Sequence, residues 1–138
     1  MTTRKGDRWG LPKGWPKRRE AFATAAMREA EEEAGVIGTV HTAPVGSFTY
    51  AKTMRKGYVV PSHVFVFALQ VLETRETWRE QKTRARKWMP LTDAAGLVGD
   101  RDVARLLAEI AEDDALDALF AELDATRADA PGIQPASS

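Results

Sequence analysis

The chain has no cysteine. That excludes a disulfide framework and any cysteine-based metal centre. Histidine is nearly as scarce, with only His41 and His63, and both read as structural or exposed side chains rather than catalytic ones. No segment approaches the roughly 20 apolar residues that a membrane helix needs. The opening residues, MTTRKGDRWG, hold no apolar stretch of the kind a secretory signal requires. The expectation is a cytoplasmic protein with no membrane partner. An excess of either charge is also missing, since 20 Lys and Arg balance 20 Asp and Glu. A broad basic face for duplex DNA is therefore not expected. Neither an internal repeat nor an interdomain linker is visible.

What is present is enough for one folded unit. With 138 residues and 43% hydrophobic content, the chain can bury a core. The expected division is a single domain over residues 1–124 and a weakly structured tail over 125–138, whose ATRADAPGIQPASS stretch lacks a packing pattern. The charge is unevenly placed. Residues 1–28 carry eight Lys or Arg against two acids, whereas residues 100–138 carry ten acids against three bases. That distribution suits a small polyanionic substrate.

The chain is organised around residues 14–36, GWPKRREAFATAAMREAEEEAGV. From Ala21 to Ala34 the residues are good helix formers with no Gly or Pro, and Gly35 fits the left-handed position past a helix end. On such a helix Glu29, Glu32 and Glu33 share one face, being spaced i, i+3, i+4. Arg28 lies four residues before Glu32, and Glu20 about two turns before Arg28. Three carboxylates on one stripe repel one another unless something positive sits there. Oxygen ligands of this kind suit Mg²⁺ or Mn²⁺, which bridge to phosphates, neutralise their charge and activate water.

Gly14, Glu20, Arg28, Glu29, Glu32, Glu33 and Gly35 together resemble the Nudix box, the signature of Nudix hydrolases. Ala30 departs from the pattern, standing where the family usually has a larger aliphatic residue. The resemblance implies an α/β/α sandwich with a mixed β-sheet between helices. It also implies that the carbonyl of Gly14 joins Glu29, Glu32 and Glu33 as metal ligands, with Arg28 and Glu20 as the supporting ion pair. The WGLPKGW segment and the pair Trp78-Arg79-Glu80 and Arg84-Ala85-Arg86-Lys87-Trp88 are similar to the diphosphoinositol polyphosphate and dinucleoside polyphosphate hydrolases. Glu80 is the first choice for the additional loop glutamate that many Nudix enzymes use, and Glu76 the second. Lys13, Arg84 and Arg86 are expected at the substrate phosphates, with Arg55, Lys56 and Lys87 as further candidates.

The implied activity is metal-dependent cleavage of a P–O–P bridge, in a dinucleoside polyphosphate or diphosphoinositol polyphosphate. The alternatives are a non-catalytic nucleotide sensor and an RNA 5′-pyrophosphohydrolase. Similar domains carry a further apolar strand ahead of the first box glycine, and only thirteen residues precede Gly14 here. The chain is therefore expected to lack that strand, and either to be poorly stable alone or to form a homodimer through the gap.

The remaining chain reads mostly as strands. Trp9 to Leu11 is a short strand, and 37–50 holds one or two strands broken near Pro44. Tyr50 to Gly57 is a basic hairpin loop. Residues 58–71 form a long strand, of which His63 to Gln70 is expected to be central and covered on both faces. Residues 72–82 form a polar loop. Arg84 to Met89 reads as a strand with Trp88 turned to the core. A short helix follows from Leu91, and an amphipathic one begins at Asp100 or Asp102 and carries Val103, Leu106, Leu107 and Ile110. Ala115 to Leu123 continues as a further helical piece.

Overall fold

The computed structural model describes residues 1, 8–112 and 115–129. The expected helix forms as α1, Phe22–Ala34. It ends as expected: Gly35 adopts φ 66°, and its N–H donates back to the carbonyls of Ala30 and Glu31. β1 (Val36–Val40) follows at once, then β2 (Gly46–Thr53), β3 (Val59–Val66) and β4 (Leu69–Thr74). Three helices close the described chain, α2 (Leu91–Leu97), α3 (Arg101–Glu112) and α4 (Ala115–Asp129). α4 runs on into the stretch expected as tail, and residues 130–138 lie outside the described residues.

The α/β class holds, but the sheet differs from a single mixed one. Among the described residues the strands form two two-stranded antiparallel sheets, β1 with β4 and β2 with β3. The long strand expected over 58–71 is interrupted at Phe67 and Ala68. The interruption is where the chain changes partner. Val66 accepts from the N–H of Val45 beside β2 at 2.8 Å, whereas Ala68 accepts from His41 beside β1 at 2.9 Å. His63–Gln70 is therefore not one central strand. β3 alternates, with Phe65 40% exposed on one side and Ser62 buried on the other.

Arg84 to Met89 is not a strand, and Trp88 is 61% exposed rather than in the core. Trp9 makes only an isolated bridge.

α1 packs on β1 through its small residues, and Ala25, Ala30 and Ala34 are buried with Val36. Alanine at position 30 leaves the helix close to the strand. Phe22, at the start of the same helix, is 57% exposed and meets Phe65 in a tilted contact with ring centroids 5.4 Å apart. The second cluster joins β2 to α3. Phe48 is buried against Val103, Leu106 and Leu107, with Tyr50, Val64 and Ile110 around it. Asp100 starts α3 as expected, its carboxylate accepting from the N–H groups of Asp102 and Val103. No helix among the described residues is long and apolar enough to cross a membrane.

Candidate active site

The functional face of α1 is built by ion pairing. Arg28 meets Glu20 with two parallel bonds, Nε to Oε2 and Nη2 to Oε1, each 2.9 Å. This fork geometry holds the Glu20 carboxyl down at about 2, mainly through the Arg28 hydrogen bonds. The same pairing raises the Arg28 guanidinium above its ordinary value. Glu20 Oε1 also accepts from the N–H of Lys17, so the turn before the helix is tied to the helix itself. The remaining arm of Arg28 reaches Glu29 at 2.7 Å and Glu32 at 3.3 Å. Arg28 thus links Glu20 to Glu29 and Glu32.

Glu33 is the buried member of the stripe, 5% exposed. Its Oε2 accepts from the backbone N–H of Lys13 at 2.9 Å, and its Oε1 lies 3.1 Å from Arg84 Nη2. Burial, the dominant cause, pushes the Glu33 carboxyl up to about 7, with the nearby Glu29 and Glu80 charges adding to the rise. Arg84 also pairs with Glu80, Nε to Oε1 at 3.0 Å. The backbone N–H of Glu80 donates to the carbonyl of Glu32. The loop glutamate chosen from sequence is thus brought to the box carboxylates. Glu76 is not, since only its carbonyl is engaged there, by Gln81.

Gly14 lies directly over Glu29. A Cβ at position 14 would stand 2.5 Å from the Glu29 carboxylate, so a larger residue there would push that side chain aside. Its neighbour Trp15 offers its carbonyl to Arg28 at 3.3 Å.

Two expected phosphate contacts are placed differently. Arg86 donates to the carbonyls of Ala34 and Gly35 at 2.8 and 3.4 Å and stacks 4.2 Å from the Trp78 ring. It caps the C-terminus of α1, where a cation suits the helix dipole. Arg84 sits inside the carboxylate cluster rather than beside open solvent. Lys13 has its ammonium 4.7 Å from the Tyr50 ring. Arg55 and Lys56 lie in the turn between β2 and β3, exposed. Sequence reasoning missed Arg79, which reaches Glu32 at 3.0 Å. It also missed Lys52, whose ammonium lies 5.1 Å from the Trp15 ring. The i, i+2, i+4 spacing of Phe48, Tyr50 and Lys52 on one strand was the available signal for the latter.

The donor chemistry fits a hard divalent cation. Glu29, Glu32, Glu33 and Glu80 supply only oxygen, and a carboxyl buried like Glu33 ionises readily only beside positive charge. In this structure that charge comes from Arg28, Arg79 and Arg84. The carboxylates are turned onto these guanidinium groups, and no group of three among the described residues stands in a ligating arrangement.

Residues 1–110 match the family model described as NUDIX domain. The chain is 34% identical over 102 residues to Nudix hydrolase 12, mitochondrial, of Arabidopsis thaliana, covering 72% of this chain and 50% of that protein. It is 35% identical over 94 residues to Nudix hydrolase 17, mitochondrial, of the same plant, covering 68% and 50%. It is 33% identical over 95 residues to the diphosphoinositol polyphosphate phosphohydrolase 3-alpha of Mus musculus, covering 67% and 54%. The chain thus spans about half the length of these relatives. No solved structure matches it.

Proposed function

The chain belongs to the Nudix family, and from that premise we propose that it is a divalent-metal-dependent pyrophosphohydrolase. Water adds to one phosphorus of a P–O–P bridge. The bridging P–O bond breaks, the departing phosphate carries away the electron pair, and the water proton passes to a carboxylate or to solvent. Nudix hydrolases generally use divalent metal ions. Here Glu29, Glu32, Glu33 and the Gly14 carbonyl would hold Mg²⁺ or Mn²⁺, with Glu80 beside them. When bound, the ion supplies charge neutralisation and a more acidic water.

The protein's own contribution is positioning. Arg28, fixed by its two bonds to Glu20, holds Glu29 and Glu32 in place. Glu33 is anchored by the Lys13 N–H, and Arg84 holds Glu80 against the same cluster. Lys13, at the edge of this cluster, would meet a phosphate chain, with catalysis arising mostly from placement and electrostatics. The observation that carries the reading is this cluster, with every box carboxylate present and one of them buried. A nucleotide sensor would not need these carboxylates.

The substrate would be a dinucleoside polyphosphate or a diphosphoinositol polyphosphate. The name of the mouse relative supports the second. A cytoplasmic setting and a homodimer complete the proposal, although the Arabidopsis relatives above are named as mitochondrial.

The test is a panel of dinucleoside polyphosphates, nucleotide sugars, nucleoside triphosphates and diphosphoinositol polyphosphates with Mg²⁺ or Mn²⁺. Cleavage of at least one, abolished by chelation and lowered by orders of magnitude in Glu33→Gln, is the expected result. Full activity in excess chelator would refute it.

A further inference from the structure

Among the described residues, three guanidinium groups hold the carboxylates of Glu29, Glu32, Glu33 and Glu80: those of Arg28, Arg84 and Arg79. They are not held alike. Arg28 is fixed from behind by its two bonds to Glu20 and by the Trp15 carbonyl. Arg84 is 12% exposed and is shared between Glu33 and Glu80. Arg79 is 73% exposed, and among the described residues its one ion pair is with Glu32, Nη1 to Oε1 at 3.0 Å. The backbone on either side of Arg79 is pinned to α1. Trp78 Nε1 donates to the carbonyl of Glu33 at 2.9 Å, and the N–H of Glu80 donates to the carbonyl of Glu32 at 3.0 Å. The loop therefore keeps position 79 at the rim of the cluster, while the side chain stands in solvent and can turn.

An exposed pair of this kind belongs to the weakest class of ion pair. Arg75 with Glu31, 3.3 Å apart on the same helix, is another, and it only offsets charge at the surface. Arg79 differs in its target. Glu32 is one of the expected metal ligands, and its Oε2 is already engaged by Arg28 at 3.3 Å. Arg79 covers the other oxygen. A divalent ion at about 2.1 Å from that oxygen would stand within about 5 Å of the guanidinium, where like charges repel. Arg79 is the arginine whose departure breaks the fewest contacts, so it is the one to yield.

We propose that Arg79 is an exchangeable counter-ion. It neutralises Glu32 while no divalent ion is bound, leaves Glu32 when one binds, and then pairs with phosphate oxygens of the substrate. The proposal rests on the pyrophosphohydrolase reading and adds an order of events to it. A guanidinium suits both partners, because its planar fork fits carboxylate and phosphate alike. The two halves of the role have opposite signs. Arg79 competes with the divalent ion, so it weakens metal binding when no substrate is present. It strengthens phosphate binding, but only after it has been released. Metal and phosphate therefore each bind better when the other is present, and this coupling is reciprocal. Other roles for Arg79 carry other signs. A residue that merely held Glu32 in place would help the metal, and a permanent phosphate contact would act with or without it.

The test uses the full chain and the variants Arg79→Ala, Arg79→Lys and Arg75→Ala. Mn²⁺ binding in the absence of phosphate is read from the electron paramagnetic resonance of the unbound ion. Arg79→Ala should bind Mn²⁺ about two- to fivefold more tightly than wild type, whereas Arg75→Ala should match wild type. Inorganic tripolyphosphate is the second probe, read by calorimetry. With saturating Mg²⁺, Arg79→Ala should bind it about five- to tenfold more weakly than wild type, and Arg79→Lys should keep part of that affinity. In EDTA, Arg79→Ala should lose nothing relative to wild type. On whichever polyphosphate the wild type cleaves, KM should rise by a similar factor in Arg79→Ala, with kcat changed less than about threefold. If the wild type cleaves none, the activity reading fails, and the Mn²⁺ and tripolyphosphate results still decide the role of Arg79. Mn²⁺ affinity unchanged or weakened in Arg79→Ala, or an equal loss of tripolyphosphate with and without Mg²⁺, would overturn the proposal. The side chain is exposed, so each variant should melt near wild type, which keeps a change of binding distinct from a change of fold.

Discussion

At the scale of single residues, Glu33 carries the sharpest consequence. Its carboxyl ionises near 7 in the folded chain, pushed up mainly by burial, against 4.5 ordinarily. A raised acid holds its proton in the fold after the unfolded chain has released it. Its contribution is therefore greatest below about 4.5 and is lost as pH rises through 7. At 1.36 kcal/mol per unit, the loss across that window approaches about 3 kcal/mol. In metal-free protein, wild type minus Glu33→Gln stability should therefore fall between pH 5 and 7.5. Thermal or urea melts of the two proteins at several pH values measure it. A divalent ion should reverse the trend, because it favours the ionised carboxylate. A difference that stays flat with pH would show that Glu33 is already ionised in the metal-free fold.

At the scale of elements, the junction after α1 decides local stability. Gly35 sits at φ 66°, and a Cβ there would stand 2.9 Å from Arg86 Nη1 and from the Trp78 side chain. Arg86 in turn holds the last carbonyls of the helix. Arg86→Ala should cost roughly 1–3 kcal/mol, from the lost charged hydrogen bonds and the stacking on Trp78. Arg86→Lys should recover little, since an ammonium cannot reproduce the planar fork. KM of the folded fraction should stay near that of wild type, which a chemical melt paired with initial rates would show. A large KM increase without loss of stability would return Arg86 to the substrate.

The same junction shows what was legible. α1 and its glycine stop were readable because helix formers, spacing and a left-handed residue all act locally. The carboxylate stripe, the Glu20–Arg28 pair and the proximity of Glu80 follow from that helix and the family pattern. Arg84 to Met89 was misread as a strand, because its alternation of arginines and Trp88 imitates a pleat. What holds the segment instead is Arg84 on Glu33 and Glu80, and Arg86 on the helix end, contacts that no local pattern encodes. Residues 63–70 read as one strand because hydrophobic period does not report the partner, and the change of sheet at Phe67 and Ala68 depends on where β1 and β2 lie. Lys52 was passed over as part of a basic loop, since the true turn starts only after Thr53.

At the scale of the whole molecule, the packing falls into two parts. α1 lies on β1, which pairs with β4, whereas α3 lies on β2, which pairs with β3, and α2 packs on α3. The cavity opens where these parts meet, and residues 13–15 reach across it from Glu33 and Arg28 to Tyr50 and Lys52. The carboxylate cluster belongs to the first part, with the 76–86 loop beside it. The Tyr50, Ser62 and Val64 wall of the cavity belongs to the second. A ligand that touches only one part stabilises that part, while one that spans both must lower the opening of both. At 100 times its Kd, a single ligand adds about 2.7 kcal/mol to the states it binds. Mg²⁺ alone should therefore slow amide exchange in α1 and residues 76–86, leaving β2 and β3 nearly unchanged. Adding diadenosine tetraphosphate to Glu33→Gln, which binds but turns over slowly, should extend the protection to β2 and β3. Inorganic tripolyphosphate should not extend it, because it has no base to reach Tyr50 or Ser62. Hydrogen exchange read by mass spectrometry on peptides from each strand distinguishes these patterns. Protection of β2 and β3 by Mg²⁺ alone would mean that the two parts open as one unit, and that the metal rather than the base couples them.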